Sequence, residues 1–111
     1  MNSEELKTIF KLADNSAEIQ TFLECGENVM IYPCGFAWVT LNNGIRGKRN
    51  PLGKELKALG LMDYDEYRKC YYLWITKYNQ SLQHKEAHAK YMAEILTDKI
   101  GVNFDYGSKF D

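Results

Sequence analysis

A chain of 111 residues with 45% hydrophobic and 26% charged residues has the size and composition of one globular domain, so extensive disorder is not expected. Its formal net charge of −1 argues against a protein whose main function is to bind duplex nucleic acid, because such proteins are usually clearly basic. The charge is uneven: residues 1–28 contain six acids and two lysines, whereas residues 29–58 contain five basic residues and one acid.

The three cysteines form no CxxC pair, and the first residues lack a basic segment followed by an apolar one. We therefore expect a reduced, cytoplasmic protein. The longest apolar-rich stretch, residues 29–41, is interrupted by Pro33 and Gly35 and is too short to span a bilayer as a helix. No membrane segment is predicted.

The acidic N-terminal segment, residues 1–28, is predicted to form a pair of short helices. Asn2 begins a capping signal, and apolar residues then recur at helical spacing up to about Ala13. Asn15 repeats the capping signal, and Gly26 follows the last apolar residues of the second helix.

The next segment predicts a strand and then a helix. Residues 29–41 acquire a period of two after Pro33, which places alternate side chains on opposite faces of a strand. One face has Phe36, Trp38 and Thr40, and the other has Ala37, Val39 and Leu41. After a glycine-rich loop, Asn50 caps a helix that begins at Pro51 and ends near Gly60.

The C-terminal half predicts two more strands and a long helix. Residues 63–68 read as a turn or a single helical turn, and the β-branched and aromatic residues of 70–78 indicate a strand. Ser81 caps a helix that ends at Gly101, a short strand follows around Phe104, and 107–111 form a polar surface tail. The predicted fold is a single α+β domain in which residues 29–111 form a small three-stranded sheet packed with helices, its strand order undecided.

One loop is a candidate anion-binding or partner-binding site. Its cations surround the helix start at Asn50, where unpaired backbone N–H groups favour an anion; they are Arg46, Lys48, Arg49 and Lys54. The loop does not match a nucleotide-binding P-loop, because five residues separate Gly47 from Gly53 and Glu55 stands where a metal-binding Ser or Thr is needed. A solvated loop and a site for phosphate or an acidic partner both remain open.

Two further motifs contain residues that could bind a metal or act in catalysis. His84 and His88 lie one helical turn apart, a spacing that can chelate zinc, but Glu86 is misplaced for a zinc hydrolase and no third ligand is evident. We predict no metal and no cofactor, and a partly exposed helix face for both histidines. Cys34, with His88 as its base, is the candidate nucleophile of a small cysteine hydrolase, although a thiol leading into a strand is more typical of a structural role.

The predicted strands also present candidate residues for base stacking or for a protein interface, and these are Trp38, Tyr72, Trp74 and Tyr78, with Phe36 beside them. Core packing is the simpler explanation, but Arg68, Lys69 and Lys77 nearby keep a nucleic-acid-binding module open as an alternative. The helix after Ser81 is also similar to the last helix of double-stranded RNA-binding domains, with fewer basic residues at its start.

Three segments together resemble a family of small uncharacterised proteins encoded by bacteriophages and prophages. They are Cys34–Val39 (CGFAWV), Lys85–Ala89 (KEAHA) and Tyr106–Asp111 (YGSKFD). The resemblance implies phage origin and the cytoplasm of an infected bacterium, and it brings no reaction, cofactor or site residue. By analogy with other phage accessory proteins, we expect a non-enzymatic protein that binds a host protein or complex and inhibits a host defence system. The nucleic-acid-binding module and the cysteine hydrolase are the alternatives.

Overall fold

The computed structural model describes residues 1–28, 33–79 and 81–110, and its architecture confirms the α+β class. The elements in chain order are α1 (Ser3–Cys25), β1 (Gly35–Leu41), α2 (Pro51–Ala58), β2 (Asp63–Asp65), β3 (Cys70–Trp74), α3 (Leu82–Ile100) and β4 (Phe104–Phe110). None of the helices in these ranges is long and apolar enough to cross a membrane.

The sheet is antiparallel and has four strands in the order β2-β3-β1-β4, one more strand than predicted. The additional strand is β2, within the segment predicted as a turn. Its three residues have no apolar alternation, so their pairing with β3 left no periodic signal in the sequence. A turn follows in which the Asp65 carboxylate accepts hydrogen bonds from the backbone of Tyr67 and Arg68.

The predicted N-terminal helical pair is instead one continuous helix of 23 residues. Its buried stripe passes without interruption through the expected break, and consists of Leu6, Phe10, Ala13, Ala17, Thr21 and Cys25. Ala13 and Ala17 are fully buried and allow α1 to approach α3 closely, which favours the helix more than the capping signal at Asn15 favours a break. Ile19 and Leu23, two of the apolar residues before Gly26, are exposed.

The core lies between one face of the sheet and the helices α1 and α3. The inward side chains of β1 are Ala37, Val39 and Leu41, as the alternation predicted. The predicted caps are also confirmed: Asn50 accepts from the backbone N–H of Gly53, and Ser81 accepts from that of His84.

The last two strands differ from the prediction. β3 ends at Trp74, so residues 75–78 leave the sheet, and Tyr78 adopts a positive φ of 71°. β4 continues to Phe110 and pairs with β1 along its whole length, so residues 107–110 belong to the sheet and not to a surface tail. Residues 29–32 of the first predicted strand and Asp111 of the predicted tail lie outside the described residues.

Candidate functional site

The sheet has one face that the helices do not pack against, which we call the open face. The register places side chains of all four strands on it, because residues directly opposite each other in antiparallel strands share a face. These side chains are Phe36, Trp38, Thr40, Asp63, Asp65, Cys70, Tyr72, Trp74, Asp105 and Lys109. The open face is therefore rich in aromatic rings.

Trp74 lies at the centre of this aromatic cluster. Its ring centroid is 5.9 Å from that of Phe36, 5.3 Å from that of Trp38 and 6.0 Å from that of Tyr72, all in edge-to-face geometry. Edge-to-face pairs stabilise the arrangement beyond the burial of area alone. The indole of Trp74 is nevertheless 42% exposed, so a ring of a ligand can reach it.

Trp38 forms the floor beneath the cluster. It is only 9% exposed, because the Arg68 guanidinium lies over its ring, with the carbon Cζ 4.3 Å from the centroid. Gly107 lies directly opposite on β4, and a Cβ there would come within 2.7 Å of the Trp38 ring. The absence of a side chain at Gly107 lets the indole lie flat on the strand.

Cationic side chains border the open face at both ends, and the exposed carboxylate of Asp105 lies opposite Thr40 at one of them. One cavity of about 520 Å³ is lined by Phe36, Trp74, Lys85 and Lys109 among others, and another of about 190 Å³ by Arg46, Arg68 and Lys69 among others. Among the residues that the structure describes, no carboxylate lines either cavity. Between them lies a cavity of about 480 Å³ whose lining includes acidic residues, but these are paired with cations of the chain.

The predicted basic loop is not gathered into one site. Its four cations are exposed. Lys48 forms an ion pair of 2.6 Å with Glu66, whose hydrogen bond raises the pKa of the Lys48 ammonium above its usual value. Arg46 lines the 190 Å³ cavity beside the open face, whereas Arg49 and Lys54 do not.

Tyr78 belongs to a different part of the molecule from the other three predicted aromatic residues. It is 8% exposed, and its hydroxyl lies 2.6 Å from Nδ1 of His88. Burial raises the pKa of Tyr78 to about 12, so the hydroxyl keeps its proton and is able to donate this hydrogen bond. The positive φ of Tyr78 turns the chain inward after β3, which the strand-like sequence did not reveal.

Both histidines are fully buried, which corrects the prediction of a partly exposed helix face. His84 Nε2 lies 2.7 Å from the carbonyl oxygen of Gly26 and Nδ1 lies 2.8 Å from Oγ of Ser81. His88 Nε2 lies 2.8 Å from the carboxylate of Asp14. In the ranges that the structure describes, no group of three or more His, Cys, Asp or Glu side chains is placed to hold a metal ion.

The thiol of Cys34 is exposed, at a bridge between its backbone and that of Ser81. Within residues 1–28, 33–79 and 81–110, no hydrogen bond joins Cys34 to His88. Tyr78 and Asp14 already occupy both ring nitrogens of His88, so this imidazole has no free position from which to accept a thiol proton.

The sequence placed Phe36 with Trp38 in a possible stacking platform, and the structure brings both into the aromatic cluster. Sequence reasoning missed Lys85 and Lys109 as candidate site residues. Lys109 was assigned to a surface tail, and a lysine in an amphipathic helix such as Lys85 normally indicates a solvated face.

Comparison with known proteins adds no relative: no protein-family model matches the chain, and neither does any curated protein or any solved structure. A functional assignment therefore depends on the geometry of the open face.

Proposed function

We propose that the protein binds single-stranded nucleic acid across the open face. The observation that supports this proposal is that Trp74, which is 42% exposed, lies at the centre of an aromatic cluster between two cavities whose described lining residues include cations and no carboxylate. Each base that stacks on an aromatic side chain contributes about 1–3 kcal/mol, and lysine and arginine side chains attract the phosphates between bases.

The geometry favours a single strand over a duplex. Bases in a duplex are paired and stacked on one another, so a sheet face cannot reach their flat surfaces. The net charge of −1 also provides little of the general attraction that duplex binding requires. Along β1 the open face extends from Phe36 to Thr40, and these four residue steps of a strand span about 13 Å. Sheets of this kind stack about two or three bases.

The expected host partner then becomes a nucleic acid of the infected cell. A host protein stays a prediction, because exposed aromatic residues also serve as anchors in protein interfaces. We favour nucleic acid because the phosphates of one strand can contact the cations at both ends of the open face at the same time. The hydrolase alternative has no such support, because both nitrogens of His88 are occupied.

The test is fluorescence anisotropy with labelled single-stranded RNA, single-stranded DNA and duplex DNA at several salt concentrations. Trp74→Leu removes the central ring and should weaken single-strand binding about tenfold or more, the loss of one stacked base. Tyr106→Leu is the matched control, because Tyr106 is 45% exposed, pairs with Val39 and so lies on the opposite side of the sheet.

Equal losses for the two variants, or duplex binding as tight as single-strand binding, would contradict the proposal. A host protein that is captured by the wild type but not by Trp74→Leu, in the absence of any nucleic-acid binding, would assign the open face to a protein partner instead. A preference between RNA and DNA would show whether the ribose 2′-hydroxyl is contacted.

A further inference from the structure

Lys85 is a buried cation with no carboxylate partner among the residues that the structure describes. The residue is 5% exposed, and its ammonium donates a single hydrogen bond, 3.4 Å long, to the carbonyl oxygen of Gly35. Burial of a charge is costly unless a counter-charge or several hydrogen bonds compensate it. Lys85 also lies near the start of α3, where the helix dipole disfavours a cation. Among the described residues, its charge is compensated by this one hydrogen bond and by the face of the Phe36 ring, 5.6 Å from Nζ, and by no counter-charge.

A second ammonium group faces the same ring. Nζ of Lys85 lies 5.6 Å from the centroid of Phe36, and Nζ of Lys109 lies 5.8 Å from it. Both lysines line the 520 Å³ cavity, whose lining also includes the exposed indole of Trp74. Two ammonium groups around one apolar ring repel each other, and an anion in the cavity would neutralise both.

We infer that this cavity binds one nucleotide unit: Lys85 and Lys109 contact its phosphate oxygens, and its base packs against Trp74. The inference rests on the proposed function, since it assigns one phosphate of the bound strand to one end of the open face. It adds that a phosphate is required there and that a free nucleotide is the smallest ligand.

The experiment is a titration of the intact protein, followed by the fluorescence of Trp38 and Trp74, with thymidine 5′-monophosphate, thymidine and inorganic phosphate. The same protein is then titrated with a short oligothymidylate. Lys85→Met and Lys109→Met remove the two charges while keeping an unbranched side chain. Lys99→Met is the matched control, since Lys99 is an exposed lysine in the last turn of α3.

We expect the monophosphate to bind more tightly than thymidine or phosphate alone. Either cavity variant should lose about tenfold in affinity, typical of one charged hydrogen bond, and the control should not. With the oligothymidylate, each cavity variant should lower the slope of log affinity against log salt by about 0.7. Lys85→Met should leave the melting temperature unchanged or raise it, because it removes a buried charge.

An oligothymidylate that binds the wild type and both cavity variants equally would overturn the nucleotide subsite and leave the proposed function standing. Monophosphate binding without oligothymidylate binding would support the subsite and refute the proposed function. A large drop in melting temperature for Lys85→Met, together with unchanged binding by Lys109→Met, would show that Lys85 serves only the fold.

Discussion

Acidification is expected to destabilise the protein through His88. This imidazole is fully buried between α1 and the chain after β3. Its Nε2 lies 2.8 Å from the Asp14 carboxylate, and its Nδ1 lies 2.6 Å from the hydroxyl of Tyr78. Because burial lowers the pKa of His88, the ring is neutral at neutral pH. The Asp14 carboxylate requires a donor, which assigns the ring proton to Nε2 and leaves Nδ1 to accept a hydrogen bond from the Tyr78 hydroxyl. Lys77 bridges Asp14 at 2.9 Å and Glu18 at 2.5 Å on the outer side.

Burial lowers the pKa of His88 below its usual value of 6.5, although the hydrogen bond and charge of Asp14 partly oppose the change. The unfolded chain therefore binds a proton at a higher pH than the folded protein does. The free energy of unfolding should be fully maintained above pH 6.5 and should fall as the pH drops from there to the lower pKa of the folded state. Within that window, one proton taken up on unfolding costs up to about 1.4 kcal/mol per pH unit.

Asp14 extends the loss to lower pH. Burial alone would raise the pKa of this carboxyl, but the hydrogen bonds from Lys77 and His88 more than offset the effect and lower it from 3.8. A carboxylate with a lowered pKa stabilises the fold above its unfolded value, and this contribution disappears as the pH falls through the folded value. Acidification should therefore destabilise this network in two stages, first through protonation of His88 and then through protonation of Asp14.

The assay is urea denaturation of the wild type and His88→Gln between about pH 7.5 and pH 5, with an NMR titration of the imidazole. At pH 7.5, His88→Gln should lose about 1–3 kcal/mol, because the buried Tyr78 hydroxyl loses its acceptor. Below pH 6.5, the variant should lack the His88 part of the acid-dependent slope. A folded-state pKa for His88 at or above 6.5, or the same slope in both proteins, would refute this reasoning.

Two further substitutions test the open face. Gly107→Val places a side chain where even a Cβ would lie 2.7 Å from the Trp38 ring. The overpacking should lower the free energy of unfolding by about 1–3 kcal/mol and shift the tryptophan emission. An unchanged melting temperature would show that Trp38 does not lie on that glycine. Arg46→Glu should weaken single-strand binding in anisotropy assays at low salt more than Arg49→Glu does, because Arg46 lines the cavity beside the open face and Arg49 does not. Equal losses would indicate a general charge effect.

The sequence by itself determined the elements with complete local signals. The strand alternation in β1 correctly separated Phe36 and Trp38 from the core residues on its other face. The caps at Asn50 and Ser81 correctly located two helix starts. These features are readable because each depends on residues close together in the chain, whose hydrogen bonds or periodicity need no distant partner.

Tertiary contacts decided the features that the sequence did not reveal. The capping signal at Asn15 is overridden because the buried stripe of α1 packs continuously against α3. Strands β2 and β4 obtain their pairing from backbone hydrogen bonds to neighbours distant in sequence, so polar residues there read as a turn and a tail. Such pairing depends on backbone hydrogen bonds to a distant strand, and these bonds leave no periodic pattern of apolar side chains in the sequence.

The same distinction applies to the candidate site. Aromatic content and a basic loop are visible in the sequence, but their arrangement is not. Trp74 reaches the open face while Tyr78 turns into the core, because the strand ends between them. Lys85 acquires its place beside the aromatic cluster only because α3 begins next to β1. The sequence therefore determined which chemical groups the protein has, and the antiparallel register, with helices on one face alone, decided which of them meet.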